Sequence, residues 1–264
     1  MWKLGKIFDI DVSLHWSLLL WIGFIGMSAP AGGALGAMTL VSVLFGCVLL
    51  HELGHSLAAR QFDIDTSSIV LLPIGGIASL ERMPREPLQE LWIAVAGPLV
   101  NVVIALAIIV GLGPTVAFSE GLTGLQAWFQ VLMIMNIGLV VFNMIPAFPM
   151  DGGRVFRSIT AMFVPYMSAT HLAVNVGRVM AVLLGLLGLY LGQYMLLFVA
   201  GFVFFAGAAE YRMVQEESET RPEWQQGFAR TFENARVFTA NRAGEALQVI
   251  WDESERRYRY ARAT

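Results

Sequence analysis

A single cysteine, Cys47, in 264 residues rules out an internal disulfide and leaves no thiolate set to hold a metal. Charge is scarce as well. Asp, Glu, Lys and Arg make up 14% of the chain, against about 25% in soluble globular domains, and the formal net charge is only -3. So small a charge, with no basic stripe, argues against a nucleic-acid partner. What the chain has in quantity is apolar side chains, 56% of residues, with a mean hydropathy of +0.64. That is the composition of a protein embedded in a lipid bilayer, and the 13 Met and 17 Phe suit a lipid-facing surface.

The few charges are unevenly placed. Residues 1–209 hold 8 Lys and Arg with 10 Asp and Glu, whereas residues 210–264 hold 9 and 10. The expected organisation is a membrane core over 1–209 and an aqueous C-terminal tail over 210–264. Hydropathy outlines six spans, at 13–29, 36–60, 88–112, 125–147, 172–191 and 193–209, each near the roughly 20 residues a bilayer requires. The last two are so close that a tight helical hairpin is expected. The N-terminus has the basic and apolar regions of a signal peptide, but Asp9 and Asp11 interrupt it and no small-residue cleavage site follows, so it reads as a retained first helix. The expected fold class is an all-α polytopic membrane protein with six transmembrane helices and a short membrane-associated β segment between the second and third.

With the N-terminus placed inside, all 17 Lys and Arg fall on the inner side, and the outer loops near 30–35 and 113–124 carry none. Arg178 lies within a span near its inner end and snorkels. Both termini are therefore expected in the cytoplasm, and the inner half of the second span faces the same side.

In that inner half the sequence reads His51-Glu52-Leu53-Gly54-His55. The spacing H-E-x-x-H puts two imidazoles on one helix face at the separation a zinc ion needs, with a carboxylate beside them. Ionisable groups in hydrocarbon are costly and mark function by default. The plainer reading is two buried histidines bonded to backbone carbonyls. A third ligand separates the two. The fourth span ends in Asn143-Met144-Ile145-Pro146-Ala147-Phe148-Pro149-Met150-Asp151-Gly152-Gly153, where two prolines three apart break the helix. Irregular backbone at membrane depth lines a cavity or is buried in protein. Asp151 at that break is a candidate third ligand; taken alone it also suits an N-cap of the helix that follows. Asn143, and Asn101 in the third span, are open between interhelical packing and holding a substrate carbonyl. Residues 64–80 read as two short strands about Gly75-Gly76, with Pro73 demoting the first to an edge; the alternatives are an interfacial loop or a strand edge that binds an extended substrate. His15 and His171 read as packing or interfacial histidines. The tail, with Trp224, Phe228, Phe232, Phe238 and Trp251, is expected to form a short amphipathic helix and then a hairpin near QVIWDESERRYRY, or to remain a solvated extension.

H-E-L-G-H in one span, A-G-P-x-x-N in the next and N-x-x-P-x-x-P-x-D-G-G after the fourth together resemble the site-2 protease family of intramembrane zinc metalloproteases, over roughly residues 1–209. The resemblance implies one Zn2+ per chain held by His51, His55 and Asp151, with Glu52 as general base and acid and Asn143 in contact with substrate. It also implies single-span membrane proteins, such as membrane-anchored regulators, as substrates. The form expected here lacks the PDZ and CBS domains of many relatives. Two other readings are a transporter or metal carrier, which has no use for Glu52 at this spacing, and an inactive relative that only binds membrane segments.

Overall fold

The computed structural model describes residues 1–30, 32–82, 84, 86–113, 124–219, 239–240, 246–252 and 257–262. In chain order the elements are β1 (Trp2–Ile7), β2 (Ile10–Leu14), α1 (Trp16–Ser28), α2 (Ala34–Arg60), β3 (Thr66–Leu72), β4 (Gly75–Leu80), α3 (Pro87–Leu112), α4 (Gly124–Asn143), α5 (Asp151–Ala161), α6 (Tyr166–Tyr190) and α7 (Tyr194–Glu219), followed by β5 (Thr239–Ala240), β6 (Ala246–Asp252) and β7 (Arg257–Arg262). The chain divides into two compact units, Met1–Arg212 and Met213–Thr264.

Among the described residues five helices, α2, α3, α4, α6 and α7, are long and apolar enough to cross a membrane, which makes this a multi-pass membrane protein. Five of the six expected spans thus contain a helix of spanning length. The first apolar run contains only the 13 residues of α1 as helix. At about 1.5 Å per residue that is roughly 20 Å, short of the ~30 Å hydrocarbon layer. The run looked longer because its first residues, Ser13 and Leu14, close strand β2. His15 caps α1, its Nδ1 accepting from the Ser17 amide at 3.3 Å. The fourth span also stops early, at Asn143, ahead of the double proline. The expected hairpin of the last two spans is present: Gly192, with φ +67, makes a left-handed turn that other residues rarely adopt.

An all-α description is corrected. A four-stranded sheet in the order β1-β2-β3-β4 joins the N-terminal hairpin to the expected β segment. β2 and β3 pair in parallel, as they can because α1 and α2 form the crossover between them. Pro73 sits in the turn between β3 and β4 rather than within a strand. Ile10, Ile69 and Leu71 from the sheet pack with Leu18, Phe45, Val48 and Leu53 from α1 and α2, so the sheet is seated on the helix that carries His51 and His55.

α5 lies alongside α3 and brings Arg157 into a fully buried position. Its Nε donates to Glu90 Oε1 on α3 at 2.8 Å and its Nη1 to Glu210 Oε1 on α7 at 2.7 Å, with the Phe148 ring 4.9 Å and the Tyr166 ring 5.1 Å from the guanidinium. Burial disfavours the charge on Arg157, but the Glu90 carboxylate more than offsets this and keeps the guanidinium protonated. Arg157, which the sequence placed only among the basic residues of the inner side, is therefore a core residue.

In the second unit β5, β6 and β7 form an antiparallel sheet, and β6 and β7 supply the expected hairpin, with Trp251 opposite Tyr258. Trp224, Phe228, Phe232 and Phe238, expected on an amphipathic helix, lie outside the described residues.

Removing one member of a buried ion pair strands the other. Arg157→Met should destabilise the folded chain by about 3–5 kcal/mol, and the double variant Arg157→Met, Glu90→Gln should recover much of that loss. Thermal unfolding in detergent checks both, and equal losses in single and double variants would contradict the pairing.

Candidate metal centre

α2 and the start of α5 bring three side chains to one point. His51 Nε2 and His55 Nε2 are 3.1 Å apart, and Asp151 Oδ2 lies 3.1 Å from the first and 3.2 Å from the second. All three residues are buried. The histidines are one helical turn apart, which stacks their rings edge to face on one side of α2. Asp151 is the first residue of α5, and Met150 occupies the N-cap position. The N-cap alternative for Asp151 is therefore set aside. Its carboxylate points at the histidines because the loop from Met144 folds back against the Gly-Gly pair: a Cβ on Gly153 would come within 2.8 Å of the Ala147 backbone, and one on Gly152 would overlap the Met144 and Ile145 backbone.

The far nitrogen of each imidazole is held. His55 Nδ1 donates to the carbonyl of Ile93 at 2.7 Å, and His51 Nδ1 donates to Asn101 Oδ1 at 2.7 Å. Each donation puts the ring proton on Nδ1 and leaves a lone pair on Nε2. Three electron-rich atoms within 3.2 Å of one another need a shared positive centre. Ligands at the corners of a tetrahedron about a zinc ion are separated by about 3.3 Å, which is close to the separations here, and two His with one carboxylate leave the fourth corner for water. The donor set fits zinc.

Glu52 follows His51 directly, about 100° around α2, and packs under the sheet. A Cβ on Gly76 in β4 would fall 2.5 Å from Glu52 Cγ and 2.9 Å from its Oε1. Gly75, at φ +135, opens the strand beside it. Of Gly75 and Gly76, both expected to meet substrate, Gly76 lies where β4 crosses the Glu52 side chain and Gly75 faces open space. Asn101, left open between packing and substrate contact, is fully buried and has both ends of its amide engaged, by His51 and by Asn136 of α4. Its place is behind the imidazole. Asn143 is half-buried at the last turn of α4. The sequence reading missed Asn136 and Glu90; the available signal was a polar residue in an apolar span.

The fold and this centre define a polytopic membrane protein in which two buried histidines and a carboxylate gather where they could hold a metal ion. The model for peptidase family M50 matches residues 39–122 and 117–184, and the chain belongs to that family. The solved structure of a site-2 protease from Methanocaldococcus jannaschii resembles it with a TM-score of 0.59 at 35% identity, covering 79% of this chain and 94% of that one. A zinc metalloprotease of the same organism is 36% identical over 217 residues, 82% of this chain and 62% of that protein. Stage IV sporulation protein FB of Bacillus subtilis is 27% identical over 183 residues, 69% of this chain and 59% of that protein. The chain therefore spans about three-fifths of the length of these two curated relatives.

Two glycines separate the surroundings of His55 from those of Glu52. A Cβ on Gly97 would overlap the His55 ring, so Gly97→Ala should drop zinc content well below one per chain. Gly76→Ala should leave zinc in place and depress turnover at least tenfold by displacing Glu52, an estimate at the low end for loss of a positioned acid–base group. Elemental analysis of the purified variants, set beside a cleavage assay, distinguishes the two.

Proposed function

We propose that this chain is an intramembrane zinc metalloprotease that hydrolyses peptide bonds in or near the membrane-spanning segment of single-span, membrane-anchored substrates. The observation that carries the reading is the convergence of His51, His55 and Asp151 on one point beside Glu52. Zinc held there would lower the pKa of a bound water toward neutrality and polarise a carbonyl oxygen. Glu52 accepts the proton from that water as it attacks the peptide carbon, and then delivers it to the amide nitrogen as the C–N bond breaks. His51, His55 and Asp151 hold the metal, and Asn143 contacts the substrate backbone.

A peptide in a helix shields its carbonyls, so the substrate is locally extended before cleavage. β4 is the outer strand of its sheet, with one edge unpaired by β3, and it passes over Glu52 at Gly76. An extended substrate adds along that edge by main-chain hydrogen bonds, through Gly75 and Gly76. A carrier reading leaves Glu52 without a task.

The distribution of basic residues supports termini in the cytoplasm and a catalytic centre approached from that side. In a chain whose Cys47 is replaced by Ala, Arg60→Cys at the exposed end of α2 should react with a membrane-impermeant thiol reagent from the cytoplasmic face. Reaction from the other face alone would reverse the orientation.

Glu52→Gln keeps the size of the side chain and cannot accept a proton. Proteolysis should fall by about 10²–10⁴ while zinc stays near one per chain. Near-normal turnover in that variant would overturn the mechanism, and loss of zinc with it would make Glu52 a ligand instead.

A further inference from the structure

We infer that Asn136, acting through Asn101, sets which nitrogen of His51 faces the metal, and so is a positioning residue for the centre although it touches neither metal nor substrate. Only Met133 and Asn136 of α4 are buried, Asn136 fully so. Its Nδ2 donates to the backbone carbonyl of Leu132, one turn earlier, at 2.8 Å, and lies 3.4 Å from Cys47 Sγ on α2. Its Oδ1 accepts from Asn101 Nδ2 on α3 at 2.8 Å. Asn101 Oδ1 in turn accepts from His51 Nδ1 at 2.7 Å.

The direction of this relay is set at its far end. A carbonyl oxygen only accepts, so Leu132 demands the NH2 group of Asn136. That turns Asn136 Oδ1 toward Asn101 and takes up the Asn101 NH2 group. Asn101 is left offering Oδ1 to His51, which answers with Nδ1–H and keeps its lone pair on Nε2. His55 reaches the same state in one step, because its Nδ1 meets the carbonyl of Ile93 directly. Both imidazoles are thus fixed in their metal-binding tautomer by a backbone carbonyl, one at first hand and one through two amides. Asn101 alone does not suffice, since a free amide can rotate by 180° and present NH2 to His51, favouring the wrong tautomer.

The inference rests on the reading of His51 as a zinc ligand, and the test separates the two. Zinc affinity of the full chain in detergent is measured by competition with a chromophoric chelator. Asn136→Leu should bind zinc about 10- to 100-fold more weakly than wild type, the loss expected when a group orienting a ligand is removed. Asn136→Asp, neutral in these apolar surroundings, donates its O–H to Leu132 and accepts from Asn101, and should restore near-wild-type affinity. Cys47→Ala leaves the relay intact and should change nothing. In the metal-stripped wild-type chain, nitrogen NMR of the histidines should show His51 protonated at Nδ1. Wild-type affinity in Asn136→Leu, or His51 protonated at Nε2 in the wild type, overturns the relay. If the wild-type chain takes up no zinc, the metal reading fails instead, and the NMR result still judges the relay.

Discussion

Lone pairs buried together repel unless a positive centre is shared among them, and the core of this protein is arranged around three that have been forced to meet. His51 and His55 cannot relieve the conflict by moving their protons to Nε2, because Ile93 and Asn101 claim those protons at Nδ1. Asp151 cannot swing away, because the loop behind it is packed against glycines that admit no side chain. A small dication shared among these three atoms would satisfy all of them, and the free energy of metal binding would then also be free energy of folding.

Close approach is what makes the arrangement possible in a membrane, where helices gain little from hydrophobic burial against one another and rely on packing and polar contacts. α2 and α3 meet at Gly54, where a Cβ would stand 2.8 Å from the Ala96 carbonyl, and at Gly97, which makes room for the His55 ring. The sheet descends onto Glu52 only because residue 76 has no side chain. Small residues at these crossings therefore set the geometry of the site as directly as the ligands do.

Much of this was legible in the sequence, for reasons that are local. Four of the five long helices follow apolar runs close to those expected, and the spacing of His51 and His55 is a property of one helix. Asp151 was legible because prolines and glycines announce a break. The rest depends on partners distant in sequence. β1 was missed because Trp2–Ile7 reads as the basic start of an apolar helix, and its place in the sheet depends on β2 pairing in parallel with β3, more than fifty residues on. The burial of Arg157 was not legible because nothing near it in sequence points to Glu90, 67 residues away. Asn136 shared an apolar span with Gln126, Gln130 and Asn143, and no repeat or spacing gave it a role.

α3 explains why such distant contacts act together. Glu90, Ile93, Gly97 and Asn101 are spaced by three, four and four residues, which places them on one stripe of the helix, all buried or facing α2 and α5. From one end to the other that stripe pairs with Arg157, accepts the proton of His55, admits the His55 ring and accepts the proton of His51. The ion pair with Arg157 fixes α5, and with it Asp151, against the same helix that orients both histidines. A shift of α3 by one residue would rotate the stripe by about 100° and break all four contacts at once. The three candidate ligands come from two elements that α3 separately engages, so the register of a helix that supplies none of them determines whether they meet.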